Sequence, residues 1–187
     1  MSTMAIIILC SVSVLALVVL AVMTFGRKRH TEKLRTKFGN SEYDRALQAG
    51  DSRRRAEAGL DQRTLRVESL NIQPLSAADH ARFVASWSKV QARFVDSPGG
   101  AVTEADQLLG DVMSTRGYPV SDFEQRAADI SVSHPLVLEN YRLAHGIANR
   151  QSGGKASTEE LRQAMIHYRA LFDELVAVPE LARAHSV

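Results

Sequence analysis

The sequence predicts an all-α protein with a single N-terminal transmembrane helix, a helical connector and a small bundle of about five helices. Three observations support this prediction: an uncharged apolar run at the N-terminus, apolar residues that then recur every three or four positions, and no run of period-two alternation. They are typical of a bilayer span and of amphipathic helices, and they argue against strands. The expected organisation is an anchor at 1–26, a basic juxtamembrane connector at 27–71, the bundle at 72–178 and a frayed tail at 179–187.

The apolar run covers residues 4–25, and its only polar side chains are Ser11, Ser13 and Thr24. A helix of this length spans roughly 33 Å, enough for a hydrocarbon core of about 30 Å. Core helices are rarely apolar on every face for so long. A cleaved signal peptide needs a basic start, a shorter apolar run and a small-residue cleavage site, and the sequence offers none of these. We therefore expect an uncleaved, single-pass signal-anchor.

Basic residues follow this run directly, and no charged side chain precedes it. Because basic residues close to a span stay on the cytoplasmic side, we expect the N-terminus outside the cell inner membrane and the C-terminal domain in the cytoplasm. Anionic lipid headgroups attract basic side chains at the bilayer surface. The residues expected to contact that surface are Arg27, Lys28, Arg29 and Lys33.

Charge is distributed unevenly along the chain. Residues 26–66 hold 12 Lys and Arg against 6 Asp and Glu, whereas residues 67–187 hold 11 against 15. The basic excess favours anionic lipid as a partner, although beyond Lys37 charge that only solvates a helix explains it equally well. Nucleic acid is not an expected partner, since the charges alternate in sign and no aromatic residues interleave with them.

The connector is expected to form short helices separated by glycines. Gly39-Asn40 interrupts the first helix, Gly50 ends the second, and Asp51 opens a third that runs to about Leu70. We interpret the region as a stalk or a loosely packed hairpin, because it has too few apolar residues for a core. Self-association is possible through one narrow apolar stripe, formed by Ala56, Leu60, Thr64 and Val67.

Helix-start signals divide the bundle into five helices after the break at Pro74. Each signal combines a polar cap with an acidic residue or a proline at the helix start, and two of them, at Ser121 and Ser157, are full capping boxes. In chain order the signals are Ser76 with Asp79, Ser97 with Pro98, Ser121 with Glu124, His134 with Pro135, and Ser157 with Glu160.

Aromatic residues lie on the apolar stripes of these helices, at spacings of three or four. Such residues are far more often core packing than a ligand site. The residues assigned to the core in this way are Phe83, Trp87, Phe94, Phe123, Tyr141, Tyr168 and Phe172.

No catalytic, cofactor-binding or metal-binding motif occurs in the sequence. The histidines lack metal-ligand spacing, Cys10 is the only cysteine, and no phosphate-binding loop or nucleophile elbow is present. We therefore expect no cofactor and no metal, and an enzyme is the less favoured interpretation. His145 lies beside the apolar stripe of its helix and could meet an acidic residue of the preceding helix, but a satisfied structural histidine is the favoured interpretation.

Polar residues are densest between residues 116 and 145. The simpler interpretation is that opposite charges three or four positions apart stabilise a short helix. The other is a polar groove that binds a partner peptide. The candidate groove residues are Arg116, Tyr118, Asp122, Arg126, Asp129, Tyr141, Arg142 and His145.

The same region carries a family resemblance. Its motifs are Arg116-Gly117-Tyr118-Pro119, the sequence DFEQRAAD at 122–129, His134-Pro135, Tyr141-Arg142 and the sequence HYRALF at 167–172. They resemble a family of bacterial membrane-anchored or secreted hypothetical proteins with a helical C-terminal domain, over a stretch from about residue 34 to 176. The resemblance implies a bacterial inner-membrane setting, and the family has no established activity that would supply site residues. A secreted domain would contradict the charge argument, which we follow.

These observations favour a membrane-tethered interaction or scaffold module that presents a helical domain to an unknown protein partner. The alternative is a small-ligand-binding or hydrolase-like domain with a site in residues 116–145. A deep pocket uniting His145 with a carboxylate and Arg126 would favour the alternative, whereas a filled core with a shallow polar groove would favour the first.

Overall fold

A computed structural model describes residues 3–119 and 121–177, with side chains at residue 15 and from residue 17 onward. This part of the chain contains only helices and turns, so the all-α prediction is confirmed. The predicted tail at 179–187 lies outside the described residues. The helices are α1 (Thr3–Ala49), α2 (Arg53–Glu68), α3 (Ala77–Arg93), α4 (Pro98–Thr115), α5 (Phe123–Ser133), α6 (Pro135–Ser152) and α7 (Thr158–Val176).

The first part of α1 contains the predicted span. Across the described part of the chain, no helix combines the length and the apolar character that crossing a bilayer requires. The side chains of residues 3–14 and 16, which make up much of the predicted span, lie outside the described part. The anchor therefore stays a prediction.

The chain divides into two compact units, Met1–Ala58 and Gly59–Val187. The second begins within α2, so part of the predicted connector belongs to the unit that contains the bundle. Leu60 and Val67 of this segment are buried. Whether a chain that starts at residue 72 folds on its own stays a prediction.

Two changes of chain direction shape the first unit. Gly39 adopts φ 76° and ψ 162°, which a residue with a Cβ atom rarely takes, so α1 kinks at the predicted interruption. The helix then ends at Ala49, and the Gly50 N–H donates to the Ala46 carbonyl oxygen at 3.1 Å. The unit contains more buried apolar surface than the sequence indicated, contributed by Leu34, Phe38, Tyr43, Ala46 and Ala56.

Most helices of the bundle begin where the start signals predict. Ser76 caps α3 by accepting the N–H of Asp79 at 3.1 Å. A complete capping box joins Ser157 and Glu160 at the start of α7. Prolines occupy the first turns of α4 and α6, where the missing N–H costs nothing.

The predicted capping box at Ser121 and Glu124 is wrong by one residue. The N-cap of α5 is Asp122, whose Oδ1 accepts the N–H of Gln125 at 2.8 Å. The Ser121 hydroxyl instead donates to the Pro119 carbonyl oxygen at 3.4 Å. Aspartate caps a helix about as well as serine, and its negative charge also interacts favourably with the helix N-terminus.

The core of the second unit contains the aromatic residues that the sequence assigned to it. Trp87 of α3 stacks on Phe172 of α7, with ring centroids 4.7 Å apart. Phe94 and Phe123 are only partly buried and pack against the edge of this core. The prediction is therefore confirmed. The five fully or almost fully buried members are Phe83, Trp87, Tyr141, Tyr168 and Phe172.

The segment between α2 and α3 is attached to the end of α4. The Gln73 N–H donates to the Arg116 carbonyl oxygen at 2.8 Å, and Arg116 Nε donates back to the Gln73 carbonyl oxygen at 3.2 Å. Gly117 follows with φ 100°, and a Cβ atom there would overlap the carbonyl oxygen of Asn71. Both the backbone conformation and the close approach require glycine at this position.

We expect Gly117→Ala to destabilise the second unit by roughly 1–3 kcal/mol, because the alanine is strained by its backbone and crowded by Asn71. Thermal unfolding of the full chain in detergent, followed by circular dichroism, measures the loss. Gly146→Ala is the matched control, because Gly146 lies inside α6 and the nearest atom to a Cβ there is 4.0 Å away. That variant should be neutral or slightly more stable. Equal melting temperatures for the two variants would contradict the crowding at Gly117.

Candidate functional site

Several polar side chains of the second unit converge on Asp106 of α4, a carboxylate that the sequence did not single out. The Tyr168 hydroxyl donates to Asp106 Oδ1 at 3.0 Å. Arg126 Nη2 lies 3.6 Å from Oδ2, and His145 Nδ1 lies 3.8 Å from Oδ1. The side chains of Asp106, Arg126 and His145 are only 23%, 17% and 20% exposed. His145 thus lies near a carboxylate of α4, whereas the sequence suggested one on the preceding helix.

Small and aromatic neighbours position the groups around Asp106. Gly110 lies one turn after Asp106 on α4, and a Cβ there would approach Arg126 Nη1 to 3.1 Å. The His145 ring stacks on the Phe123 ring, with centroids 3.6 Å apart and planes 4° from parallel. Phe123 also packs against Tyr141 at 4.9 Å. An aromatic ring therefore covers one face of the imidazole.

The electrostatics of the cluster favour an ionised Asp106. Burial alone would raise the pKa of this carboxyl group, but His145, Arg126 and Tyr168 together hold it below its ordinary value. Burial raises the pKa of the phenol groups of Tyr141 and Tyr168 far above the ordinary value, and the Asp106 charge adds to the effect. At neutral pH the cluster contains one carboxylate, one guanidinium and two protonated phenols.

Some buried polar atoms of this cluster have no hydrogen-bond partner among the described residues: Arg126 Nε, the Tyr141 hydroxyl and His145 Nδ1. A buried donor without a partner is costly, so such atoms often mark a bound water or ligand. The cluster unites His145, a carboxylate and Arg126, which is one part of what the alternative function requires; a deep pocket is the other part. The three unpartnered atoms are buried, although the side chains of Asp106, Arg126 and His145 are partly exposed.

The other predicted groove residues are distributed over separate places. Arg116 Nη1 donates to the Leu175 carbonyl oxygen at 2.9 Å, and Tyr118 is buried with 3% exposure. Asp122 caps α5, and Arg142 Nη1 lies 3.2 Å from Glu124 Oε2. The structure therefore does not gather the eight residues into one groove. Whether any of them contacts a partner stays a prediction.

An open polar cleft of about 460 Å³ lies between α2 and α5. Asp129 beside it is 1% exposed, and its Oδ1 accepts from Arg66 Nε at 3.1 Å and from Gln125 Nε2 at 2.9 Å. The α2 side of this cleft was not predictable from the sequence pattern, which places that segment in the connector. The cleft is lined by Gly59, Gln62, Arg63, Arg66, Asp122, Glu124, Gln125 and Ala128.

The four predicted membrane-contact residues lie on the exposed surface of α1. The Arg29 guanidinium lies 4.4 Å from the centroid of the Phe25 ring, so the basic group and the apolar stretch are in contact. Among the described residues, no three His, Cys, Asp or Glu side chains are grouped so that they would hold a metal ion.

Comparisons of the chain with family models, with curated proteins and with solved structures find no match. The family resemblance described above stays an expectation.

His134, at the junction of α5 and α6, predicts a pH dependence of stability. Its Nδ1 lies 3.0 Å from Glu174 Oε1. Burial lowers the pKa of His134, the nearby Arg116 lowers it further, and Glu174 opposes both effects without overcoming them. Because the folded-state pKa is lower than the unfolded one, the unfolded chain binds more protons near the ordinary value of about 6.5. The contribution of His134 to stability is therefore present above that pH and is lost as the pH falls below it.

We expect the free energy of unfolding of the wild-type chain to fall between about pH 7.5 and pH 5.5. His134→Gln should flatten this part of the profile, and His80→Gln is the control. Chemical denaturation at a series of pH values measures the effect. An unchanged slope in His134→Gln would assign the pH dependence to other groups.

Proposed function

We propose that this chain is a membrane-tethered helical interaction module, which holds its bundle at the cytoplasmic face of a bacterial inner membrane. One observation carries the proposal: an apolar, exposed stretch of α1 whose side chains are 51–67% exposed. Large exposed apolar surfaces mark contact with lipid or with another protein. The exposed residues are Leu15, Leu17, Val18, Val19, Leu20, Val22, Met23 and Phe25.

A bilayer explains this surface better than a protein partner does. An amphipathic helix that docks on a protein has one apolar face and one polar face. Residues 17–25 are exposed at every position and include no charged side chain. Basic residues begin at Arg27, immediately beyond the apolar stretch, as they do at the cytoplasmic end of a span.

The surface proposed for the protein partner is the α2–α5 cleft. Its lining combines Arg63 and Arg66 with Asp122 and Glu124, so it offers charges of both signs to a polar peptide segment. The ion pair between the exposed Arg66 and the buried Asp129 stabilises one side of the cleft. Complementary charges across an interface determine which partners bind and in which register.

The Asp106 cluster supports a second candidate function, the binding of a small polar ligand. The specific observation is the buried Tyr141 hydroxyl and the buried Arg126 Nε, which have no partner among the described residues. A small molecule released on denaturing the purified wild-type chain, and absent from Asp106→Asn, would favour this candidate over the first.

The membrane tether predicts different outcomes for two charge insertions. Leu15→Arg places a charge near the middle of the apolar run, where it costs about 2.5–3.5 kcal/mol of insertion free energy, so membrane association should weaken. Leu65→Arg is the matched control, because Leu65 of α2 is also 65% exposed. Alkaline carbonate extraction of cell membranes measures the retained fraction. Equal retention of both variants would contradict insertion of the apolar run.

The cleft predicts a position-specific cross-link. A photoactivatable residue at position 62, inside the cleft, should form a discrete protein adduct in intact cells, whereas one at position 88, on the exposed surface of α3, should not. Glu124→Arg should reduce the adduct at position 62, because it reverses one of the cleft charges. Adducts of equal yield at both positions would reject the cleft as the binding surface.

A further inference from the structure

We propose that the first unit assembles a composite basic surface for anionic lipid headgroups, from Arg27-Lys28-Arg29 on α1 and Arg53-Arg54-Arg55 on α2. The residues predicted from the sequence to contact lipid all lie on α1. The inference rests on the proposed membrane tether. It adds a second basic segment, on α2, which is remote in sequence from the first.

Thr31 brings the two basic segments together. Arg53 Nη2 donates to Thr31 Oγ1 at 2.8 Å, although 22 positions separate the two residues. The Thr31 hydroxyl also lies 3.0 Å from the carbonyl oxygen of Arg27, four residues earlier on α1. Four residues of helix correspond to roughly 6 Å along the axis. Arg53 therefore lies at nearly the same level of α1 as the first basic segment.

Glu57 of α2 holds this arrangement. Its Oε1 lies 2.7 Å from Thr31 Oγ1, 2.8 Å from the Tyr43 hydroxyl and 3.0 Å from Arg53 Nε. Burial would raise the pKa of Glu57, but these donors outweigh burial and keep the pKa below its ordinary value. An ionised Glu57 thus links the start of α2 to two parts of α1, before and after the kink at Gly39.

The resulting surface keeps much of its positive charge. Arg53 pairs with Glu57, and Arg55 pairs with Asp51. Within the described part of the chain, Arg27-Lys28-Arg29 and Arg54 have no carboxylate at ion-pair distance, and all four are exposed. They adjoin the end of the apolar stretch, where the headgroups of a spanned bilayer would lie.

A bilayer surface fits this arrangement better than a single free anion does. The basic side chains point outward from two helices and do not converge on one enclosed pocket. Anionic headgroups present many negative charges over an area, and the attraction extends over about one Debye length, near 10 Å at 0.1 M salt.

The experiment measures the distance from α2, at position 58, to the headgroups in the full chain, reconstituted in lipid nanodiscs. Ala58→Cys carries a donor fluorophore in a Cys10→Ser background, and an acceptor is attached to lipid headgroups. Ala58 is exposed and lies four residues after Arg54, on the same face of α2. Energy transfer should be higher in phosphatidylglycerol-containing discs than in phosphatidylcholine discs, and added salt should reduce the difference.

Two pairs of arginine substitutions distinguish the effect of charge at the proposed surface from the effect of the total charge of the chain. Arg54→Gln with Arg55→Gln should abolish the increase with phosphatidylglycerol. Arg82→Gln with Arg162→Gln removes the same charge from two exposed arginines of the bundle and should leave the increase intact. Equal loss in both variants would overturn the composite surface.

Glu57→Ala tests whether the increase in energy transfer depends on the position of the arginines beside α1 or only on the charge of the chain. This substitution makes the chain more positive, so charge alone predicts a larger increase in transfer. The proposal predicts a smaller one, because the contacts that hold Arg53-Arg54-Arg55 beside α1 are lost. Circular dichroism verifies that the helices remain, and a larger increase in this variant would overturn the role of the Glu57 contacts.

Two further outcomes separate this inference from the tether. Replacing chloride by inorganic phosphate at equal ionic strength should leave the transfer unchanged, and a specific loss would reassign the surface to a soluble anion. A chain that fails to enter the discs would overturn the tether itself. A chain that enters them with the same transfer in both lipids would overturn only the composite surface.

Discussion

A carboxylate removed from water is stable only when donors surround it, and three carboxylates impose this constraint on the chain. Glu57 collects donors from Thr31, Tyr43 and Arg53 in the first unit. In the second unit, Asp129 is held by Arg66 and Gln125, and Asp106 by a set of side chains from α5, α6 and α7. Each carboxylate joins segments that are distant in sequence. Each therefore favours one arrangement of the helices, whereas apolar packing alone would be compatible with several.

Local sequence signals were enough to predict most of the helices. Capping residues, prolines and glycines act within a few positions of one another, so Ser76, Ser157 and the kink at Gly39 could be identified without a structure. The cap of α5 shows the limit of such signals. Ser121 and Asp122 are both good capping residues, so the sequence alone does not decide between them. In the structure Asp122 caps the helix, and the Ser121 hydroxyl donates to the Pro119 carbonyl oxygen instead.

The candidate sites were only partly predictable because their partners are not local. Arg126, Tyr141 and His145 stood out as a polar group, but Asp106 lies on another helix and has no unusual neighbours in sequence. The same holds for Glu57, which resembles any charged residue of a solvated helix until Thr31 and Tyr43 are brought beside it. The small number of apolar residues in the first unit likewise suggested that it has no core. In the structure a small set of its side chains is buried, and polar contacts supplement their packing.

Gly110 illustrates a cost that one part of the fold imposes on another. Glycine inside a helix is less favourable than alanine by about 1 kcal/mol, so α4 would be a better helix with a larger residue there. The Arg126 guanidinium lies where that residue's Cβ atom would crowd it, at 3.1 Å. A Cβ atom at position 110 would require the guanidinium to shift by a few tenths of an ångström, so helix propensity at this position competes with the present placement of Arg126 beside Asp106. Relatives that retain the ion pair should keep a glycine at this position, and those that lose the arginine are free to replace it, so the two positions are expected to vary together during evolution.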